Sequence, residues 1–571
     1  MMAGVTPNIV TIWTDALVEL VRKNLGVDVS GESFQPLISP TLDLKFGDYT
    51  TGVCFKLGRV LRKGPPQLAK ELVPRVEAVK LPHLAKVEAA GGYLNLTLAR
   101  AYLERLVDSV HQLAGEYGQT DRFAGVRVLL EYVSANPTGP LTIAAARQAA
   151  VGDTLARLLE FTGASVTREY YVNDTGGQIR NLGLSILSRA ADLAGRKLPF
   201  PEEGYRGEYV KDLAGAALAA HGPALFDKAD AAQVCARLGR DELMKSIAVD
   251  LKAFGVEFDV YSSQEALEKS GKVEQTLHVL KQKGLIFDFE GAQWLRTTQF
   301  GDDKDRVMVK SDGSYTYRTP DIAYHRDKFE RGFDRLIDLL GPDHRQEAKE
   351  VAMGLKALGI DADRRVRVIF VEHCRLMRGG EEVKMSKRLA TYVTLRELID
   401  EVGVDAARYF FLMRRVESHL DFDLEVAKKQ SLDNPVYYAQ YAQARICSAY
   451  EKAIEKGVVQ ATDVRGGLFA GGADPRLLDD PELQLIRMLE RFPQTAAEAA
   501  TDLDTAKVTS YVYSLSGAFQ SYYTDGNKDP AKRMVTDDAA RTAARLRTAA
   551  AVQIVLRTAL GLLGVSAPSK M

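Results

Sequence analysis

The sequence predicts an α/β protein built round a parallel nucleotide-binding sheet, with a mixed α/β module before the sheet and an all-α bundle after it. Three observations predict this. Residues 126–172 read as strand, loop, helix and strand. The same parallel pattern resumes over 336–371. From about residue 395 helical periodicity takes over and runs to the C-terminus.

Taken in order, residues 1–124 form the separate module, with helical periodicity near 9–25 and an alternating strand in Gly92–Leu98. Val126–Val133 is a buried-strand candidate, and Asn136-Pro137-Thr138-Gly139-Pro140 is a turn-rich loop. A helix follows from about Ile143 to Phe161, then a strand over 164–172. A mostly helical insertion fills roughly 175–285 of a central region spanning 125–395. Leu336–Leu340, a helix near 345–358 and Val366–Val371 complete the sheet, and 396–571 is the helical region.

Composition narrows the function classes. At 571 residues the chain exceeds one compact core, and 46% hydrophobic with 26% charged residues is ordinary for a globular protein. No apolar run reaches the ~20 residues that a membrane helix needs. The N-terminus lacks the order of a signal peptide, so the expected location is the cytoplasm. Cys54, Cys235, Cys374 and Cys447 lie far apart, which argues against a zinc ribbon and against a disulfide framework. The net charge of −1 says nothing either way about nucleic acid, because a basic face can be balanced elsewhere.

Four segments carry chemistry. The first is the loop before the helix at Ile143, since a helix N-terminus at the C-terminal edge of a parallel sheet favours phosphate. The bland reading makes Thr142 a helix cap. Lys384-Met385-Ser386-Lys387-Arg388 could embrace a triphosphate and steady charge moving onto leaving pyrophosphate. The alternative is a solvated basic loop. In the segment Asp312–Asp321, Tyr317 and Asp321 could line one pocket, the carboxylate pairing with a substrate cation; the alternative is a turn followed by a capping aspartate. Finally, Tyr438, Gln440, Tyr441 and Arg445, with Tyr522, suit unstacked RNA bases, whereas some tyrosines would serve the bundle core.

With Glu131–Leu141, Arg168–Asp174, Trp294–Thr298, Phe300–Arg306, Asp312–Asp321, Val404–Arg414 and Asn434–Tyr438 in view, the chain resembles the bacterial type of arginyl-tRNA synthetase over essentially its whole length. The resemblance implies a class I Rossmann-type catalytic domain, an N-terminal domain touching the tRNA elbow and an anticodon-binding helical domain. It implies that L-arginine, ATP with Mg2+ and tRNA(Arg) give arginyl-tRNA, AMP and pyrophosphate through an arginyl-adenylate, in an enzyme expected to be monomeric and to need no structural zinc. Glu131, Ser134 and Asn136 fall on positions lining the arginine pocket, with Asn136 near the α-amino group. Tyr317 and Asp321 fall on those reading the guanidinium, a planar fork that a carboxylate matches in two-point fashion.

The ATP-binding stretch of the family falls on Ala135, Asn136, Pro137, Thr138, Gly139, Pro140, Leu141, Thr142, Ile143, Ala144 and Ala145. Here the chain departs from the pattern. The family's first signature is His-(Ile or Val)-Gly-His, and this sequence has Thr142-Ile143-Ala144-Ala145. Both histidines and the glycine are replaced, and Thr142 keeps one possible donor. The second signature, Lys384 to Arg388, is intact, and with Thr142 it supplies the expected catalytic residues Lys384 and Lys387. A leading reading of arginine–tRNA ligase therefore stands beside a second, a degenerate relative that binds arginine or tRNA as a sensor. A synthetase for cysteine or glutamate lacks support, because the former would show zinc-ligand cysteines and the tyrosine-plus-aspartate pocket suits a cation.

Overall fold

The computed structural model describes residues 8–31, 37–41, 43–383 and 393–571. Helix α1 (Ile9–Leu25) starts where the Asn8 side chain accepts from the amides of Val10 and Thr11, and ends at Gly26 in the left-handed conformation. It is followed by β1 (Ser39–Pro40), β2 (Tyr49–Thr51), α2 (Val53–Leu61), α3 (Pro65–Val79), β3 (Leu84–Ala90), β4 (Tyr93–Leu98) and α4 (Arg100–Leu113). The strands pair antiparallel in the order β1-β2-β4-β3.

The central region opens with β5 (Arg127–Glu131), α5 (Ile143–Phe161) and β6 (Ser165–Val172). The insertion then supplies α6 (Gly176–Leu193), α7 (Tyr209–His221) and α8 (Ala231–Ala253), which bury their own small core round Leu182, Ile186, Val210 and Leu225. Next come β7 (Val260–Ser263), α9 (Gln264–Lys269), α10 (Lys272–Gln282) and three short antiparallel strands, β8 (Ile286–Phe289), β9 (Ala292–Leu295) and β10 (Arg306–Val309). The region closes with α11 (Arg318–Glu330), β11 (Arg335–Leu340), α12 (Arg345–Leu358), α13 (Ala362–Arg365) and β12 (Val366–Phe370).

Strands β12-β11-β5-β6-β7 lie side by side in that order, with all four pairings parallel. The chain steps from β5 to β6 on one side, whereas β11 lies on the other. Connections above β5 and β11 thus part in opposite directions and leave a crevice at the C-terminal ends of these strands. Helix α5 packs hard against the strand it follows: a Cβ on Gly152 would meet the Tyr132 ring at 2.3 Å, so only glycine permits this approach. The expectation of a helical insertion needs one amendment, because β7 falls within 175–285 yet forms the edge of the main sheet. It is short and half-exposed, with only Val260 as a β-branched apolar residue, so the pattern of a buried strand is missing.

After β12 come β13 (Cys374–Arg378), β14 (Glu381–Glu382), α14 (Leu395–Val402), α15 (Val404–Leu412), β15 (Leu420–Asp423) and α16 (Leu424–Lys428). The bundle consists of α17 (Pro435–Glu455), α18 (Asp480–Glu490), α19 (Phe492–Asp502), α20 (Ala506–Lys528) and α21 (Ala539–Leu562). One continuous apolar core runs from Ile9 to Val565 through all three regions. A fully buried guanidinium fastens the central region to the C-terminal one: Arg408 on α15 donates to Asp153 on α5 at 2.6 Å, to the Leu563 carbonyl at 2.9 Å and to the Phe254 carbonyl at 3.1 Å.

The N-terminal module docks on the bundle. Asp48 pairs with Arg487 at 2.6 Å, the Tyr117 hydroxyl donates to the Leu489 carbonyl at 2.9 Å, and the Tyr49 hydroxyl donates to the buried Glu490 carboxyl. Burial pushes Glu490 up to about 7, against the opposing effects of the Tyr49 hydrogen bond and Arg491. A carboxyl raised in the folded state contributes stability below its unfolded value, near 4.5, and loses it as pH climbs to about 7. Glu490→Gln should therefore gain stability relative to the parent across that window, by on the order of 3 kcal/mol. Thermal melts of both proteins at pH 5 and pH 8 check this. An equal difference in Tm at the two pH values would mean that Glu490 does not titrate there.

Candidate active site

The crevice above β5 and β11 holds a cavity of about 640 Å³. Its floor is the loop after β5, where Val133 and Ser134 both have positive φ, 68° and 37°. A β-branched residue rarely adopts that conformation, and here it turns the Ser134 side chain back toward the strand. The Ser134 hydroxyl donates to Glu131 at 3.0 Å and accepts from the Tyr171 amide at 3.0 Å. Asn136 bonds Gln178 across the cavity at 2.9 Å. Glu131, Ser134, Asn136, Tyr317 and Asp321, from two segments far apart in sequence, all line this one space.

Under the cavity lies a charge network that sequence reading missed. Lys328 is fully buried and donates to Glu131 at 2.6 Å and to Asp338 at 2.9 Å. Burial alone would pull the ammonium down, but Asp338, Glu131 and Glu169 together hold it above its usual value. Asp338 is likewise held below the usual carboxylate range by Lys328 and His325, which outweigh its desolvation. The signals were there to be read. Asp321, Tyr324, His325 and Lys328 recur at helical spacing along one face of α11, and Asp338 is an acid within the apolar run of β11.

Asp321 stands in the first turn of α11, yet its carboxyl does not cap the helix; it hydrogen-bonds Glu347 of α12. Burial, then the charge and hydrogen bond of Glu347, push Asp321 well above the usual carboxylate range. Glu347 is lowered instead, chiefly by its hydrogen bond with His344 at 2.7 Å. Tyr317 is 54% exposed at the rim. Its ring lies beneath the Arg318 guanidinium at 4.9 Å. Glu131, Asp321, Asp338, Glu347 and Asp363 line the cavity, and among the described residues no lysine or arginine does. An acidic, cation-poor pocket selects a cationic ligand, and an arginine side chain suits paired carboxylates.

The altered segment 142–145 forms the start of α5. Thr142 occupies the N-cap position, but its hydroxyl makes no cap bond, so the bland reading holds for the backbone only. Ala144 is exposed and Ala145 half-buried. The backbone of Thr142 bridges Thr394, and the Leu395 amide donates to the Leu141 carbonyl at 2.8 Å. This lacing ties the chain at Thr394 and Leu395 to the start of α5. Lys384, Met385, Ser386, Lys387 and Arg388 themselves lie outside the described residues. Among the described residues no group of three or more His, Cys, Asp or Glu could hold a metal ion, and no helix is long and apolar enough to cross a membrane.

On the bundle, Tyr437, Tyr441 and Arg445 form a half-buried ladder along α17. The two rings stack at 6.1 Å, and the guanidinium lies 4.6 Å from Tyr441 and 4.8 Å from Tyr523. Tyr438 packs beside the exposed Tyr513 at 5.0 Å. Two of the expected RNA contacts point elsewhere. The buried Gln440 carboxamide donates to Asp405 at 2.8 Å and to the Ser566 carbonyl at 3.0 Å, and Tyr522 donates to Glu482 at 2.9 Å. Both hold the bundle together, as the reading of core tyrosines allowed for Tyr522.

The parallel sheet with its crevice at the switch point, between an α/β module and a helical bundle, matches the catalytic-domain model of class I tRNA synthetases. Successive family models match the chain: the arginyl tRNA synthetase N-terminal domain over 11–98, the class I (R) tRNA synthetase catalytic domain over 110–416 and the DALR anticodon binding domain over 439–571. The arginine–tRNA ligase of Shouchella clausii is 41% identical over 559 residues, covering 97% of this chain and 98% of its own. A Campylobacter jejuni crystal structure described as an arginyl-tRNA synthetase is 32% identical with a TM-score of 0.74, over 83% of this chain and 100% of that one. Thermus thermophilus arginyl-tRNA synthetase shares the fold, with a TM-score of 0.74 at 22% identity over 98% of this chain and 100% of its own. The chain belongs to the arginyl-tRNA synthetase family.

Proposed function

We propose that this protein is an arginine–tRNA ligase, which activates L-arginine with ATP as its Mg2+ complex and transfers the arginyl group to tRNA(Arg). The observation that carries the reading is the acidic cavity at the sheet's switch point, in a chain related to arginine–tRNA ligases along its whole length. Asp321 and Tyr317 receive the guanidinium, while Glu131, Ser134 and Asn136 orient the amino-acid end. Residues Ala135 to Ala145 and the first turn of α5 hold the nucleotide, and the charges of Lys384, Lys387 and Arg388 offset those of its phosphates. The arginine carboxylate oxygen attacks the α-phosphorus of ATP, the bond to the β-phosphate oxygen breaks, and pyrophosphate leaves with the electron pair. The ribose hydroxyl at the tRNA end then displaces AMP from the adenylate carbonyl.

Arginine-dependent exchange of labelled pyrophosphate into ATP, with and without tRNA(Arg), tests this reading. Exchange together with charged tRNA supports the ligase. The altered 142–145 turn favours a second reading, a sensor that binds without chemistry, and arginine and tRNA binding with neither exchange nor charging would establish it.

The ladder on α17 is proposed as the anticodon face. Tyr441→Ala combined with Arg445→Ala should weaken tRNA(Arg) binding about 10²-fold, because each stacked base contributes roughly 1–3 kcal/mol. Arginine affinity should stay level. Fluorescence titration with labelled tRNA(Arg) measures it, and an unchanged Kd would remove this face from recognition.

A further inference from the structure

We infer that Gln148 is a catalytic donor to the α-phosphate, filling the role that the alanines at 144 and 145 cannot; the inference rests on the ligase reading above. Gln148 lies on α5 four residues after Ala144 and three after Ala145, so the three share one helix face. Side chains on a helix lean toward its N-terminus and cover the turn before their own Cα. A glutamine side chain is long enough to extend across roughly one turn of 5.4 Å. With methyls alone at 144 and 145, no longer side chain on this face blocks its path over the first turn. Gln148 lines the same cavity as Ser134, Asn136 and Asp321.

Its carboxamide is uncommitted. Among the described residues Gln148 makes no side-chain hydrogen bond, whereas several of its polar neighbours are engaged. Asn136 and Gln178 hold each other at 2.9 Å, and the adjoining Arg147 donates to the carbonyls of Glu372 at 2.7 Å and Arg415 at 3.0 Å. A half-buried amide kept free at the mouth of a ligand cavity has a donor to offer a ligand oxygen. Gln148 transfers no proton. Its N–H group bonds a non-bridging oxygen on the α-phosphorus, where negative charge builds as the carboxylate enters and pyrophosphate departs.

The test uses the full-length protein with arginine, ATP and tRNA(Arg). Gln148→Leu keeps the bulk and removes the donor. It should lower the exchange kcat by about 10²-fold, the usual cost of one such donor, with the KM for arginine within about twofold. Adding Ala145→His to Gln148→Leu should recover at least about tenfold of that loss, which a merely structural glutamine would not allow. A binding arm makes the result independent of turnover. Arginylsulfamoyl adenosine, a non-reacting mimic of the adenylate, should bind the parent at least about tenfold more tightly than Gln148→Leu. Arginine binding with equal affinity for the mimic in both proteins, or exchange at the parental rate in Gln148→Leu, overturns the assignment and leaves the ligase reading standing. A parent that binds neither arginine nor the mimic overturns both.

Discussion

Asp321→Asn should all but abolish arginine binding while raising the melting temperature of the ligand-free protein. The two effects have one cause. Burial and the neighbouring Glu347 hold the Asp321 carboxyl well above the usual range, so carrying its charge is unfavourable until a cation arrives. For a carboxyl raised on folding, the stability it contributes is present below its unfolded value, near 3.8, and is lost as pH rises toward the raised value. Asparagine removes that loss at neutral pH. It also removes the charge proposed to meet the guanidinium, and breaking a buried charged pair costs about 3–5 kcal/mol, roughly 10²- to several times 10³-fold in Kd. Arginine must moreover displace a proton from the Asp321 carboxyl, so its affinity in the parent should rise with pH through the same window and its binding should release a proton. Calorimetric titrations in buffers of different ionisation enthalpy, with parent and variant, read both quantities. Undiminished arginine affinity in Asp321→Asn would exclude this carboxyl from the pocket.

Restoring the family's first signature should have the next largest effect. The triple change Thr142→His, Ala144→Gly and Ala145→His places two ring donors on the first turn of α5 and removes an exposed methyl from its face. Each donor aimed at developing charge is worth about 10²–10³ in rate, so the exchange kcat should rise by about 10² or more. The KM for ATP should fall less, because these contacts strengthen mainly in the transition state. With Gln148 in place the gain should be smaller than in a Gln148→Leu background, since the glutamine and the restored histidines serve the same oxygens. Steady-state exchange kinetics with tRNA present decides the matter. A level or falling rate would mean that the pocket has closed round the present residues.

Regular periodicity made the frame legible. Helices α1, α5 and α12 lie where apolar spacing and turn residues place them, as do β5, β6 and β11, because the helices are long and periodic and the strands stand out against the turn residues that bound them. Strands β7 and β15 were hidden because four residues carry no period, and their pairing depends on partners distant in sequence. For the site, a family resemblance named Glu131, Ser134, Asn136, Tyr317 and Asp321, all of which line one cavity. What it could not supply is the layer beneath. Lys328 and Asp338 acquire meaning only when β11 is set beside β5, so that one ammonium sits between two carboxylates from different strands. Gln440 shows the converse. Its place among tyrosines suggested a base-reading role, yet its partners Asp405 and Ser566 lie 35 and 126 residues away.

The Arg408 contact sets an order of events during synthesis. Asp153 leaves the ribosome 255 residues before the guanidinium it accepts from, and Leu563 follows Arg408 by a further 155. Until Leu563 emerges, the contact between α15 and α5 lacks part of its support. Domains generally fold as units while a chain grows, N-terminal first. Here the junction between the central region and α15 closes fully only once Leu563 is present, because a buried guanidinium short of an acceptor is strongly unfavourable. A nascent chain that stops short of Leu563 therefore lacks one of the three acceptors of that guanidinium. Leu563 thus completes the junction last, as one of three acceptors of a single side chain.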